Sequence, residues 1–167
     1  NCHPFTHGRW SFMHNGQVGG YDAFRRDADM MIPESLYPHR KGATDSEALF
    51  LVALAEGLDD DPRGALERTA ARFIRLARQK GAAPHLRMTA ALSDGQRLYA
   101  VRYSTDAAAP SLYHRWSDSR QGRAVVSEPL EAEQNGWEEV PPYSFCTFDG
   151  ETAMVEDFMP CRLAEAA

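Results

Sequence analysis

Cysteine is scarce in this chain, and no apolar run is long. Its three cysteines, Cys2, Cys146 and Cys161, are odd in number and lack CxxC spacing. That argues against a disulfide framework and a structural zinc site, and favours a reducing, cytoplasmic setting. No stretch approaches the ~20 apolar residues of a membrane-spanning helix, and the start has no charged-then-apolar signal pattern, so membrane insertion is not expected. Positive charge is also in deficit. The 18 Lys and Arg stand against 24 Asp and Glu, a formal charge of -6, the opposite of what displacing counterions from a nucleic-acid backbone requires. Arg63, Arg68, Arg72, Arg75, Arg78 and Lys80 form a local basic stretch, but they alternate with Leu66, Phe73, Ile74 and Leu76, as on the solvated face of an amphipathic helix. Nucleic acid is therefore not an expected partner. Repeats, low-complexity tracts and Pro/Gly/Ser linkers are missing too, which leaves no domain boundary.

What is present suffices for one core. With 167 residues, 43% hydrophobic and 25% charged, the chain is long enough to bury a core and too short for two to be expected, so residues 1–167 read as one domain. It begins at Asn1 rather than Met and is strongly patterned from there, so it is expected to be the C-terminal part of a longer protein. Trp10 to His14 reads as a strand entering a turn at Asn15-Gly16, a dipeptide that readily supplies positive φ. Tyr21, Phe24, Ala28 and Met31 at helical spacing, closed by Pro33, predict a short helix. Thr44, with Glu47 three residues on and the apolar run Ala48 to Ala55 behind it, is a capping box opening a buried helix that ends at Gly57. Pro62 opens a second helix, and Gly81 lies beyond its end. After Pro84 the pattern turns to strands: Leu86 to Leu92, a turn at Ser93-Asp94-Gly95-Gln96, Leu98 to Tyr103, then Ser111 to Trp116, Ala124 to Ser127 and Tyr143 to Phe148. Helices first and antiparallel strands later predict an α+β fold.

Three segments could carry chemistry: His14-Asn15-Gly16, Gly42 to Glu47, and Val125 to Leu130 with Trp137 and Val140-Pro141 after it. Singly, each has a plain structural meaning: a hairpin turn, a helix cap, a strand. Taken in order with His3-Pro4-Phe5 and Gln17, they resemble the glutaminase domain of the class II, or N-terminal-nucleophile, glutamine amidotransferases, with its HP, HNG and TD(S/T)E series. Leu98 to Ser104 and Val126 to Leu130 are similar to the small stand-alone subgroup, which includes hydrolases of γ-glutamyl compounds.

The resemblance implies an αββα four-layer sandwich of two stacked antiparallel sheets, whose N-terminal strands lie outside this sequence. It implies hydrolysis of the γ-amide of glutamine or a γ-glutamyl compound, without metal or cofactor. Asn15 and Gly16 would form the oxyanion site; donors aimed at developing negative charge lower such a barrier by a few kcal/mol, about 3 each. Asp45, at a helix N-terminus that favours an ionised carboxylate, would take the substrate's α-ammonium, with His14 and Thr44 completing the binding site. Asn15, Gly16 and Asp45 are expected to converge on one place. A separate synthase subunit could accept the ammonia, and a homo-oligomer is compatible with these expectations.

The resemblance departs at the nucleophile. The family's cysteine is the first residue of the mature chain, where its own α-amino group moves the proton, and no residue here matches it. Cys2 directly precedes His3-Pro4-Phe5 and reads instead as a buried strand cysteine. The family's upstream arginine has no match either; Arg9 does not align with it. Two alternatives stay open: a metal site of Cys2, His3, His7 and His14, and a non-catalytic glutamine-binding or partner module that has lost the nucleophile.

Overall fold

The computed structural model describes residues 2–129 and 136–160, so Asn1, Leu130 and Cys161 lie outside the described residues. Strands β1 (Phe5–His7) and β2 (Trp10–Val18) lead into helix α1 (Tyr21–Asp29), a 3-10 turn at Tyr37–His39, and helices α2 (Asp45–Ala55) and α3 (Pro62–Gln79). The rest is strand: β3 (Leu86–Ser93), β4 (Leu98–Ser104), β5 (Tyr113–Ser117), β6 (Gly122–Val126), β7 (Glu138–Glu139), β8 (Ser144–Asp149) and β9 (Thr152–Asp157). They form two antiparallel sheets, one of six strands in the order β1-β2-β3-β4-β8-β9 and one of three in the order β6-β5-β7. No helix among the described residues is long and apolar enough to cross a membrane.

Local chemistry explains most boundaries. The Thr44 hydroxyl accepts the Glu47 amide at 3.4 Å and so opens α2, and Asp61 accepts the Gly64 amide at 3.0 Å ahead of Pro62 to open α3, each satisfying a donor that a helix start leaves free. The β3–β4 hairpin turns at Asp94, whose carboxylate accepts the Gln96 and Arg97 amides at 2.9 and 2.7 Å, while Gly95 supplies φ +86° at the position where a side chain would be strained.

The pleat sends alternate residues of the large sheet to different neighbours. Phe12, Met88, Ala90, Leu92, Val101 and Phe145 join the core built with α1, α2 and α3, whereas Ala100, Cys146 and Phe148 pack with Leu112, Val140 and Val125 on the side of the small sheet. α2 is apolar nearly all round and buried from Ser46 to Ala53, as expected of a helix enclosed by other elements. Phe12 stacks on Phe50 with centroids 5.5 Å apart, joining β2 to α2. His114 of β5 lies 4.7 Å from Phe148 of β8, joining the two sheets.

Two local expectations are corrected. Asn15-Gly16 is not a turn: β2 runs through it, with Asn15 opposite Thr89 and Gly16 opposite Met88. A ladder reaching from Ser11 to Val18 outweighs the turn preference of one dipeptide. Cys2 is exposed, ahead of the first strand, rather than buried within one.

Candidate active site

The site is organised by β2 and the start of α2. His14 is buried on the helix-facing side of β2. Its Nδ1 lies 2.9 Å from Ser46 Oγ and its Nε2 3.3 Å from the Arg87 carbonyl oxygen. A carbonyl only accepts, so Nε2 carries the hydrogen and Nδ1 of the neutral ring accepts from the Ser46 hydroxyl. Burial pushes the His14 pKa below its ordinary 6.5, against the opposing pull of Asp45, so the ring is neutral at pH 7.

Asp45 heads α2 and is held from two directions. Its Oδ2 accepts the Val18 amide at 2.8 Å, and its Oδ1 accepts the Ser46 amide at 2.7 Å with Ser46 Oγ 3.3 Å away. It is half-buried. A carboxylate has about four lone-pair positions, so these contacts fix its orientation and leave room for a cationic ligand. Thr44 is exposed at the cap itself.

Gly16 stands where backbones come close. A Cβ there would lie 2.1 Å from the Arg87 oxygen and 2.7 Å from His14 Nε2, so any side chain would force β2 away from β3. β1 pairs with β2 only as far as Phe12, and among the described residues no strand covers the outer edge of β2 beyond it. In an antiparallel strand the amides of alternate residues point to the same edge. The Gly16 amide therefore points to the same open edge as the Val18 amide that Asp45 accepts.

Asn15 projects the other way. Its amide donates to Ser127 Oγ, just beyond β6, at 3.3 Å, and a cleft of about 240 Å³ lies there between His3, Asn15, Thr89, Leu112 and Ser127. That is below the roughly 300–1,000 Å³ of sites for drug-sized ligands and suits something as small as an amino acid. A larger depression of about 750 Å³ beside α1 shares none of these residues.

His14, Thr44, Asp45 and Ser46 thus form one continuous group, Gly16 joins it along the edge of β2, and Asn15 faces the cleft on the opposite side of the sheet. His14 offers a ligand no free ring nitrogen. Sequence reasoning passed over Ser46, visible only as a letter inside the helix cap, and the Val18 amide, which carries no sequence signal. Of the residues considered for a metal, His3 lines the cleft while His7 lies against His39, with ring centroids 4.4 Å apart. No group of three or more His, Cys, Asp and Glu able to hold an ion occurs among the described residues.

No protein-family model matches the chain. A solved structure of a glutamine aminotransferase class-II domain protein from Silicibacter pomeroyi is 57% identical and superimposes with a TM-score of 0.91, over 95% of this chain and 71% of that one. The chain belongs to the class II glutamine amidotransferase family. The Saccharomyces cerevisiae protein named "Probable glutamine amidotransferase DUG3" is 29% identical across 93% of this chain, which spans about half, 54%, of the yeast protein's length. The Bacillus subtilis glutamine phosphoribosylpyrophosphate amidotransferase has the same fold at 12% identity, with a TM-score of 0.60 over 89% of this chain and 29% of that one.

The two described cysteines lie apart from this group of site residues. Cys146 is buried between the sheets, and burial raises its pKa, which keeps it a thiol. Cys2 sits with His39, Lys41 and Glu47 around a different cleft of about 210 Å³.

Proposed function

We propose that the natural protein hydrolyses the γ-amide of glutamine or of a γ-glutamyl compound, using an N-terminal cysteine outside these 167 residues. The observation that carries this reading is the arrangement along β2: a carboxylate fixed by two backbone amides and an outward-pointing glycine amide share one open edge, and an asparagine amide stands at the neighbouring cleft. Asp45 takes the substrate's α-ammonium. His14 acts through Ser46, holding the start of α2 so that Asp45 keeps its orientation, and Thr44 closes the cap beside it.

In the chemical step the cysteine thiolate adds to the γ-carbonyl carbon, and the carbonyl electron pair moves onto oxygen. The Gly16 amide and the Asn15 side chain stabilise that oxyanion. The cysteine's α-amino group passes a proton to the departing nitrogen, the C–N bond breaks, and ammonia leaves a thioester. Water then adds to the thioester, and the thiolate is expelled as the γ-carboxylate forms. Ammonia is released to solvent or delivered to a separate synthase subunit, in a stand-alone cytoplasmic protein, monomeric or homo-oligomeric, whose upstream strands complete an αββα four-layer sandwich.

The test is an assay of the full-length natural protein for glutamate and ammonia from glutamine, with glutaramate, which lacks the α-amino group, as comparator. Glutamine should be hydrolysed at least about 10-fold more efficiently, the worth of one charge-assisted contact. Calorimetric glutamine binding without glutamate formation would overturn the catalytic reading in favour of a binding module.

A further inference from the structure

Arg40 lies outside every motif that suggested the site, yet it is among the most fully engaged side chains in the molecule. Only 5% of its side chain is exposed. Its Nε donates to Asp29 Oδ1 at 3.0 Å, its Nη2 to the Tyr21 hydroxyl at 2.7 Å, and its Nη1 to both the Thr44 carbonyl and Glu47 Oε2 at 2.8 Å. The four partners come from both ends of α1 and from the cap and first turn of α2. Glu47 is in turn fastened to the intervening loop, accepting the Lys41 and Gly42 amides at 2.9 and 2.8 Å. Asp45 sits between Thr44 and Glu47, and its other tether, the Val18 amide, lies three residues before Tyr21.

We propose that Arg40 is a positioning residue for substrate recognition: it locks the start of α2 against α1 so that Asp45 presents its carboxylate at the edge of β2 in one fixed place. A planar guanidinium can reach four acceptors in fixed directions, which the point charge of a lysine cannot. Burial alone opposes charge on both groups. It is outweighed by Tyr21, Asp29 and Glu47 at Arg40, and by the Lys41 and Gly42 amides with Arg40 at Glu47, so the guanidinium stays protonated and the Glu47 carboxyl titrates below its ordinary range. The cluster is thus an ionised lock rather than a neutral hydrogen-bonded one. It rests on Asp45 being the α-ammonium site, and it adds a determinant of amino-acid specificity that touches no substrate.

The experiment measures kcat and KM for glutamine and glutaramate with the full-length natural protein and its Arg40→Lys, Tyr21→Phe and Asp45→Asn variants, each first shown to melt cooperatively. Arg40→Lys should raise the glutamine KM about 10-fold or more, the worth of one charge-assisted hydrogen bond, with kcat little changed and the preference for glutamine over glutaramate reduced by the same factor. Tyr21→Phe removes one acceptor and should shift both quantities in the same direction by less; it carries the test if Arg40→Lys does not fold. A merely structural residue would lower the melting temperature and leave the glutamine preference intact. That result in both folded variants, alongside a raised KM in Asp45→Asn, overturns the role of Arg40 alone. An unchanged KM and preference in Asp45→Asn overturns the reading of Asp45, and the role of Arg40 with it.

Discussion

The two sides of β2 are built differently. Toward the helices, His14 is buried with both ring nitrogens engaged, and two hydrogen-bonded sets, Arg40 with Glu47 and Ser46 with Asp45, meet at the start of α2. Toward the small sheet, Asn15 is exposed and makes a single 3.3 Å bond to an exposed serine at the mouth of a cleft. The first arrangement holds groups still; the second leaves a polar amide able to exchange its partner for a ligand. Under the proposed function, in which the site holds an amino acid and stabilises charge that appears only during reaction, fixed binding groups and accessible donors suit these separate tasks.

The largest effect should come from breaking the rigid side. Arg40→Met removes the cation paired with half-buried Asp29 and buried Glu47 and should cost about 3–5 kcal/mol of unfolding free energy in urea titration. Gly16→Ala should cost about 1–3 kcal/mol, as overpacking does, because its Cβ would meet the Arg87 oxygen at 2.1 Å; native-state hydrogen exchange should show the loss centred on β2 and β3. If Gly16→Ala proved neutral, β2 would be more yielding than its ladder implies.

A smaller effect sharpens the contrast through pH. The folded-state pKa of His14 lies below the ordinary 6.5 because of burial, so the unfolded chain takes up the proton first as pH falls. Stability due to the neutral ring is complete above about 6.5 and declines below it toward the folded-state value, by at most about 1.4 kcal/mol per pH unit. Chemical denaturation from pH 8 to 5 should show this decline, and His14→Gln should reduce it. His114, whose pKa burial also lowers, keeps a remaining slope. The smallest change in stability belongs to the open side, where Asn15→Ala should shift unfolding by no more than about 0.5 kcal/mol.

The same division separates what was legible in the sequence from what was not. The β3–β4 hairpin and the start of α2 were readable because Asp94 and Thr44 act on amides two or three residues away, and the start of α3 because Pro62 suits a first helical turn; the Asp61 cap just before it was not singled out. The strand through Asn15-Gly16 was not, because its partners Thr89 and Met88 lie more than seventy residues along the chain. Motif order brought His14, Asn15, Gly16, Thr44 and Asp45 into view as candidates, and the resemblance implied that Asn15, Gly16 and Asp45 converge, but neither could show that consecutive residues of one strand serve opposite faces, nor that the Gly16 amide points to the same edge as the Val18 amide that Asp45 accepts. Arg40 gave no signal at all: its partners Tyr21, Asp29, Thr44 and Glu47 share no spacing that a periodic pattern would reveal.

In the proposed function Asp45 sets substrate binding while Asn15 acts on the reaction itself. This division of roles is tested most directly by steady-state kinetics of full-length Asn15→Ala and Asp45→Asn on glutamine. Asn15→Ala should lower kcat by about 10²–10³, the usual loss of one oxyanion donor, with KM nearly unchanged, and Asp45→Asn should chiefly raise KM. An Asn15→Ala protein that keeps its kcat, or an Asp45→Asn protein that keeps its KM, would contradict it.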